Sequence, residues 1–310
     1  MENSQAKKRR PMRRDTRDNI QYYLYMLPVM ILIVIFCYVP LFGILIAFQD
    51  YKPGSAFISS DTVWVGLKHF KSFVQSFYFD RIIRNTLFIN LLGLFLGFCA
   101  PIIFSLLLNE VVFTKLKKVI QTVSYMPHFI STVVVVSMFL GYIGDNGIIP
   151  KLLSLFGVTV TSLNTNAAFY PWYYTVINVW KSFGWGSILY LSTISSIDPG
   201  LYEAAEIDGA GRWKKMWYIT LPHMRSLILI QLILNIGGML GSNTEMILLF
   251  YNPSVYSTMD VIGTYVYRDS LLGGRYSFGT ACSLMISVLS FLLMWSANKV
   301  SAKVADFSLW

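Results

Sequence analysis

The chain reads as an all-α integral membrane protein of six transmembrane helices with both termini cytoplasmic. Three observations carry this reading. Of its 310 residues 55% are hydrophobic and 13% charged, with mean hydropathy +0.54, whereas soluble domains carry roughly 25% charge. Six apolar runs each approach the roughly 20 residues that a helix rising about 1.5 Å per residue needs to cross a hydrocarbon core of about 30 Å. The basic residues are also unevenly shared among the connections between those runs.

The runs are Met26–Phe48, Thr86–Leu108, Gln121–Ile143, Tyr173–Ser195, Leu227–Phe250 and Ser277–Ala297. The first is uncharged over 23 residues and no small-residue cleavage site follows it, so it reads as a retained helix rather than a signal peptide. An even number of spans places both termini on one side. Residues 1–21, 109–120, 196–226 and the C-terminal tail hold sixteen Lys and Arg, and the alternate loops 49–85, 144–172 and 251–276 hold eight. Positive residues accumulate on the cytoplasmic side, so the termini are expected there. The organisation is a basic tail over 1–25, a membrane domain over 26–297 and a short tail over 298–310. Tyr22, Tyr23 and Tyr25, and Trp172, Tyr173 and Tyr174, mark span ends as interfacial anchors. Between the first two spans, Pro53-Gly54 predicts a turn and Leu67–Val74 an amphipathic helix; Ile148–Phe156 predicts a second short helix ending at Gly157.

Composition also excludes. A cytosolic enzyme does not carry this hydropathy, and seven of the 25 basic residues behind the +9 net charge lie in the first seventeen positions, which reads as topogenic rather than as a nucleic-acid surface. Cys37, Cys99 and Cys282 all lie in apolar runs without a CxxC or a nearby His, so neither a disulfide framework nor a metal site is expected. No nucleophile, metal cluster or paired carboxylate suggests catalysis, and no catalytic residue is assigned.

The connection after the fourth span, residues 198–222, is the most informative. Asp198 is a good N-cap and Pro199 a natural first helical residue, so a short helix should run through Glu203, Ala204 and Ala205. Gly209 permits a turn, and a second helix is expected over Arg212–Ile219, ending before Pro222. The product is a helix-turn-helix elbow in which the two alanines allow close approach to another protein, while Glu203 and Asp208 supply charges for basic groups there.

The pattern E-A-A-x-x-D-G-A followed by I-x-L-P, with Glu203 nineteen residues before Pro222, resembles the EAA loop of permease subunits of bacterial ATP-binding-cassette importers. The resemblance extends over nearly the whole chain. Val65–Phe70 is similar to the family's V-G-L-x-N-F element, with His69 in place of Asn, and Tyr125-Met126-Pro127 and Ile197-Asp198-Pro199 fit its carbohydrate-uptake branch. Asn252–Tyr256 and Asp260–Arg268 resemble the subgroup that imports complex or acidic oligosaccharides. Met216 stands where the family often has an aromatic.

The resemblance implies a type I importer permease fold in the bacterial cytoplasmic membrane. It implies coupling to an ATPase through Glu203, Ala204, Ala205, Asp208 and Gly209. The implied partners are a second, related permease subunit, an ATPase dimer that binds ATP and Mg, an extracellular substrate-binding lipoprotein and an oligosaccharide. No G-x-x-x-x-G-K-[ST] occurs, so the chain has no phosphate-binding loop of its own and is not an enzyme by itself.

Polar residues in the spans suggest the substrate path. Gln231, Asn235, Gly238, Ser242 and Glu245 are spaced four, three, four and three, which on one continuous helix makes a single face. Asn178, Lys181 and Trp185 share a face of the fourth span. Amides and carboxylates would bind hydroxyls, and an aromatic ring would bind a sugar face. Lys181 has two ways to offset its charge when the path is empty, pairing with Glu245 or reaching to the interface. Helix packing through small and polar residues is the competing role for this row. A self-sufficient ion-coupled carrier is the alternative function, and it would need buried acids in several spans, whereas Glu245 is the only acid in any of the six.

Overall fold

A computed structural model describes residues 13–60, 62–157, 163–241 and 243–309, with side chains described from residue 20 onward. The described structure is helical, and its sole strand-like feature is an antiparallel bridge between Gln49 and Trp64. Among the described residues, five helical stretches are long and apolar enough to cross a membrane: Ile20–Phe48, Phe79–Asn109, Thr132–Leu155, Arg212–Gly238 and Tyr276–Ala305.

Helix α1, Arg13–Ile33, begins inside the basic segment and continues through a π turn, Val34–Tyr38, into a 3₁₀ segment, Val39–Phe48. A short helix α2 covers Lys68–Val74, as its amphipathic pattern predicts, and α3 covers Phe79–Asn109. Between α1 and α2, Gly54 makes the expected turn at φ +90°.

The expected third span, Gln121–Ile143, is two helices: α4, Thr114–Phe129, and α5, Thr132–Ile143. Ile130 and Ser131 between them are extended, with ψ of 134° and 138°. Helix α6 then runs Ile148–Leu155.

Helix α7, Tyr170–Ser195, holds the expected fourth span in one 26-residue helix. It is missing from the most apolar stretches for a physical reason. It packs against α3, α4 and the later helix α10, Leu221–Gly238. A face covered by other helices has no need to be wholly apolar, so buried Thr175 and Ser187 are tolerated there, their hydroxyls donating to the carbonyls of Pro171 and Gly184. Gly184 is required by close approach: a Cβ there would collide with the Ser124 carbonyl oxygen of α4.

After the short helices α8, Pro199–Ile207, and α9, Arg212–Lys215, a π turn over Met216–Thr220 leads into α10. The second elbow helix therefore does not end before Pro222 as expected; the helical path is unbroken from Arg212 to Gly238. Proline lacks the N–H of a normal turn and crowds the carbonyl four residues back. Here the Leu221 amide reaches the Met216 carbonyl, five residues back, which widens the turn ahead of the ring. The same device precedes Pro40, where the Val39 amide donates to the Val34 carbonyl.

The expected fifth span, Leu227–Phe250, is also interrupted. Helix α10 stops at Gly238 and α11, Thr244–Phe250, starts with Asn243 as its N-cap, its Oδ1 accepting from the Met246 amide at 3.2 Å. Two short helices follow, α12 (Tyr256–Met259) and α13 (Ile262–Val266), and the long α14 (Tyr276–Ala305) closes the chain. The largest buried cluster joins Ile89 of α3, Val136 of α5, Tyr174 and Ile177 of α7, and Ile247 and Phe250 of α11.

Candidate functional site

The elbow forms as its residue types dictate. Asp198 is extended (φ −60°, ψ 120°) and its Oδ1 accepts from the Gly200 amide at 2.9 Å, which caps α8. At the other end the Asp208 amide donates to the Ala204 carbonyl at 3.1 Å and the Ala210 amide to the Ala205 carbonyl at 2.8 Å. Gly209 adopts φ +73°, the left-handed value that other residues enter at a cost.

Two contacts tie α8 back to the following helix. The Tyr202 and Thr220 hydroxyls lie 2.9 Å apart, and Lys215 Nζ donates to Glu206 Oε1 at 2.5 Å. That hydrogen bond holds the Glu206 carboxyl below its ordinary pKa. Glu203, Ala204, Ile207 and Asp208, one turn apart in pairs, are exposed together, while Ala205 is half-buried. Ile207 is 88% exposed. An apolar tip flanked by a small residue and two carboxylates is suited to a groove with basic edges. Met216 is buried at the root of the elbow, beside a small cavity it shares with Leu107, Glu110, Arg212 and Trp213.

The interrupted helix creates a second feature. A cavity of about 320 Å³ opens between α3, α7 and the end of α10, lined by Asn90, Tyr174, Thr175, Asn178, Asn235 and Asn243 among others. Irregular backbone at membrane depth is tolerated where it lines such a cavity. Asn178 and Asn235 both line it. The continuous row is not formed: Gln231, Asn235 and Gly238 lie on α10, whereas Glu245 is exposed on the separate helix α11. Ser242 lies outside the described residues. Asn90 and Asn243 were not anticipated, although the Gly237-Gly238 and Gly241 cluster is the breaker signal that would have placed a gap there.

Lys181 also departs from expectation. Among the described residues it makes no ion pair with Glu245; its Nζ donates to the His128 carbonyl at 3.2 Å. That carbonyl belongs to the last turn of α4, where helical acceptors lack partners, so the lysine caps the break at Ile130–Ser131. The cap offsets part of the cost of the charge. A cation at a helix C-terminus gains about 0.3–1 kcal/mol, up to ~2 when partly buried, against about 2.5–3.5 kcal/mol for inserting a central lysine. One turn along, Trp185 stacks on His128 with ring centres 4.7 Å apart and planes 3° from parallel, and Phe129 meets it edge-on at 5.4 Å. Trp185 remains 45% exposed.

A third arrangement had no sequence forecast beyond the motif around it. Asp260 is completely buried, and its carboxylate accepts from Arg81 at 3.0 Å, from Arg268 at 2.9 and 3.2 Å and from Thr264 at 2.9 Å. Burial alone would lower the Arg268 pKa, but the Asp260 carboxylate outweighs it and raises the value, holding the guanidinium charged. Arg268 also donates to the Tyr251 hydroxyl at 2.7 Å, and its guanidinium lies over the Tyr256 ring. Asn85 donates to the Ser257 and Asp260 carbonyls at 3.1 and 3.2 Å. One carboxylate therefore binds the start of α3 to the 251–272 segment.

Comparison with known proteins follows the same lines. The model of the family described as "binding-protein-dependent transport system inner membrane component" matches residues 89–306. Protein LplB of Bacillus subtilis strain 168 is 42% identical over 91% of this chain and 88% of its own length. The polygalacturonan/rhamnogalacturonan transport system permease protein YteP of the same organism is 39% identical over 93% of this chain and 89% of its own. A chain of a bacterial ABC transporter involved in import of the acidic polysaccharide alginate superposes with TM-score 0.85 at 36% identity, covering 94% of this chain and 98% of that one. A chain of a bacterial alginate ABC transporter solved with an alginate pentasaccharide-bound periplasmic protein gives TM-score 0.86 at 34% identity, covering 97% and 100%.

Proposed function

This chain belongs to the binding-protein-dependent transport system inner membrane components, and from that premise we propose that it moves acidic oligosaccharides across the bacterial cytoplasmic membrane by alternating access. It is a multi-pass, non-catalytic permease subunit of an oligosaccharide importer. In this reading six spans cross the bilayer, α7 completing the set, with both termini cytoplasmic. The elbow is the lever: Glu203, Ala204, Ala205, Asp208 and Gly209 seat in a cleft of a separate ATPase that binds ATP and Mg. A second, related permease completes the membrane unit, and an extracellular lipoprotein delivers the cargo. Closure of the ATPase dimer pushes the elbow and, through the unbroken path Arg212–Gly238, moves α10 directly.

The observation that carries the reading is the exposed face Glu203, Ala204, Ile207 and Asp208, set between a capped helix start and a left-handed glycine and left uncovered by the described residues. The cargo assignment draws on the acidic polymers named for the similar YteP and alginate proteins. Asn178, Asn235, Ser242, Glu245, Lys181 and Trp185 are assigned to the path, the first two supported by the shared cavity.

The test is reconstitution of the assembled complex in proteoliposomes with an oligouronate and the binding protein. ATP-dependent uptake is expected, and Glu203→Lys should abolish ATPase retention without reducing membrane insertion. Asn235→Ala should lower uptake at least several-fold in complexes that still assemble. Full uptake with Glu203→Lys would make the elbow a mere connector.

A further inference from the structure

We propose that Lys181 is the charge that makes the path prefer carboxylated sugars, with Trp185 and His128 as the ring platform beside it. This rests on the path assignment above and adds to it a chemical class and an atom that recognises it.

An ammonium carries three donors and no acceptor. At Lys181 one donor goes to the His128 carbonyl, and among the described residues no carboxylate lies within ion-pairing distance. The cap therefore satisfies a backbone group and leaves the positive charge without a counter-charge, on a half-buried residue of a helix packed against α3, α4 and α10. A neutral donor could cap the carbonyl without placing a full charge in a span, so the cap alone does not account for lysine.

Position supplies the rest. On α7, Asn178 lines the polar cavity, Lys181 follows three residues on and Trp185 seven residues on, which puts Asn178 and Trp185 on the same face two turns apart with Lys181 at its edge. The indole is already ordered by its stack on His128, yet it keeps 45% of its surface open. A pre-ordered ring loses little freedom when a sugar face lies against it, and an ammonium one turn away is suited to a carboxylate on that same sugar. A neutral oligosaccharide would use the ring and the amides but leave the ammonium unpaired. The charge thus discriminates by class rather than by identity of the sugar.

The experiment compares uptake of an oligouronate with its carboxyl-reduced neutral counterpart in the reconstituted complex. Both are supplied at concentrations shown to saturate the isolated binding protein, so that selectivity is read at the permease. Lys181→Gln should cut the acidic-to-neutral ratio of uptake rates about tenfold or more, and Lys181→Arg should preserve it. Asn178→Lys, which adds a second cation to the same face, should raise it. Should Lys181→Gln fail to assemble, the Asn178→Lys ratio decides alone. An unchanged ratio in the assembling variants overturns the proposal. If the ratio is unchanged while Asn235→Ala still depresses uptake of both sugars, only charge recognition falls and the path stands.

Discussion

Asp260→Asn is expected to destabilise the 251–272 segment by about 3 kcal/mol, at the low end of the roughly 3–5 kcal/mol for breaking a buried ion pair. The substitution preserves shape and one acceptor oxygen, but it removes the negative charge between Arg81 and Arg268 and turns an amide donor toward guanidinium donors. Asp260 is fully buried, whereas the two arginine side chains are 31% and 32% exposed, so water recovers part of their loss. The internal reference is Asp50→Asn. Its pair with Lys68 spans 4.0 Å with both side chains 59% exposed, and such pairs contribute about 0–1 kcal/mol.

Amide hydrogen exchange on the solubilised complex reads the difference locally. The Ile262 amide donates to the Thr86 hydroxyl at 3.0 Å and the Tyr265 amide to the Val261 carbonyl at 3.0 Å. At about 1.4 kcal/mol per decade, their protection should fall on the order of 100-fold in Asp260→Asn. Arg268→Leu should be milder, because it leaves the Arg81 pair intact. Protection in Asp260→Asn within threefold of that in Asp50→Asn would refute the account, as would a larger loss in Arg268→Leu.

Two further outcomes are expected. In a cysteine-free background, Ser59→Cys should react with an impermeant reagent in intact cells and Ser308→Cys only after permeabilisation, both positions being exposed; labelling at position 308 from outside would reverse the topology. Gly209→Ala should weaken co-purification of the ATPase through backbone strain of about 1–2 kcal/mol at φ +73°, since no atom lies within 4 Å of the added methyl. Gly209→Asn should be milder because asparagine tolerates that region, and equal behaviour of the two would point to a lost contact instead.

Local chemistry was legible in advance wherever it acts over a few residues. The apolar runs, the Asp198 cap with Pro199, the turn at Gly209 and a short helix within Leu67–Val74 all follow from residue types at fixed spacing, and all are present. The EAA loop placed the chain in its family before any fold was known. The structure departs from the apolar pattern where one run holds two helices. The gap between α10 and α11 had a glycine signal that apolar content concealed. The break at Ile130–Ser131 follows Pro127, a breaker that apolar content likewise concealed, and it is capped from α7 by Lys181.

The partnerships of charged side chains were beyond a linear reading for a related reason. Asp260 finds Arg81 from 179 residues away, and Lys181 finds a carbonyl 53 residues back rather than the Glu245 carboxylate. Composition determined that the bilayer is the solvent and periodicity determined which segments are helices, because both are sums over neighbours in the chain. Which helix α7 touches, where a span may break and which buried charge remains uncompensated were decided only by packing, since the energy of an unpaired polar group depends on what three-dimensional neighbours reach it.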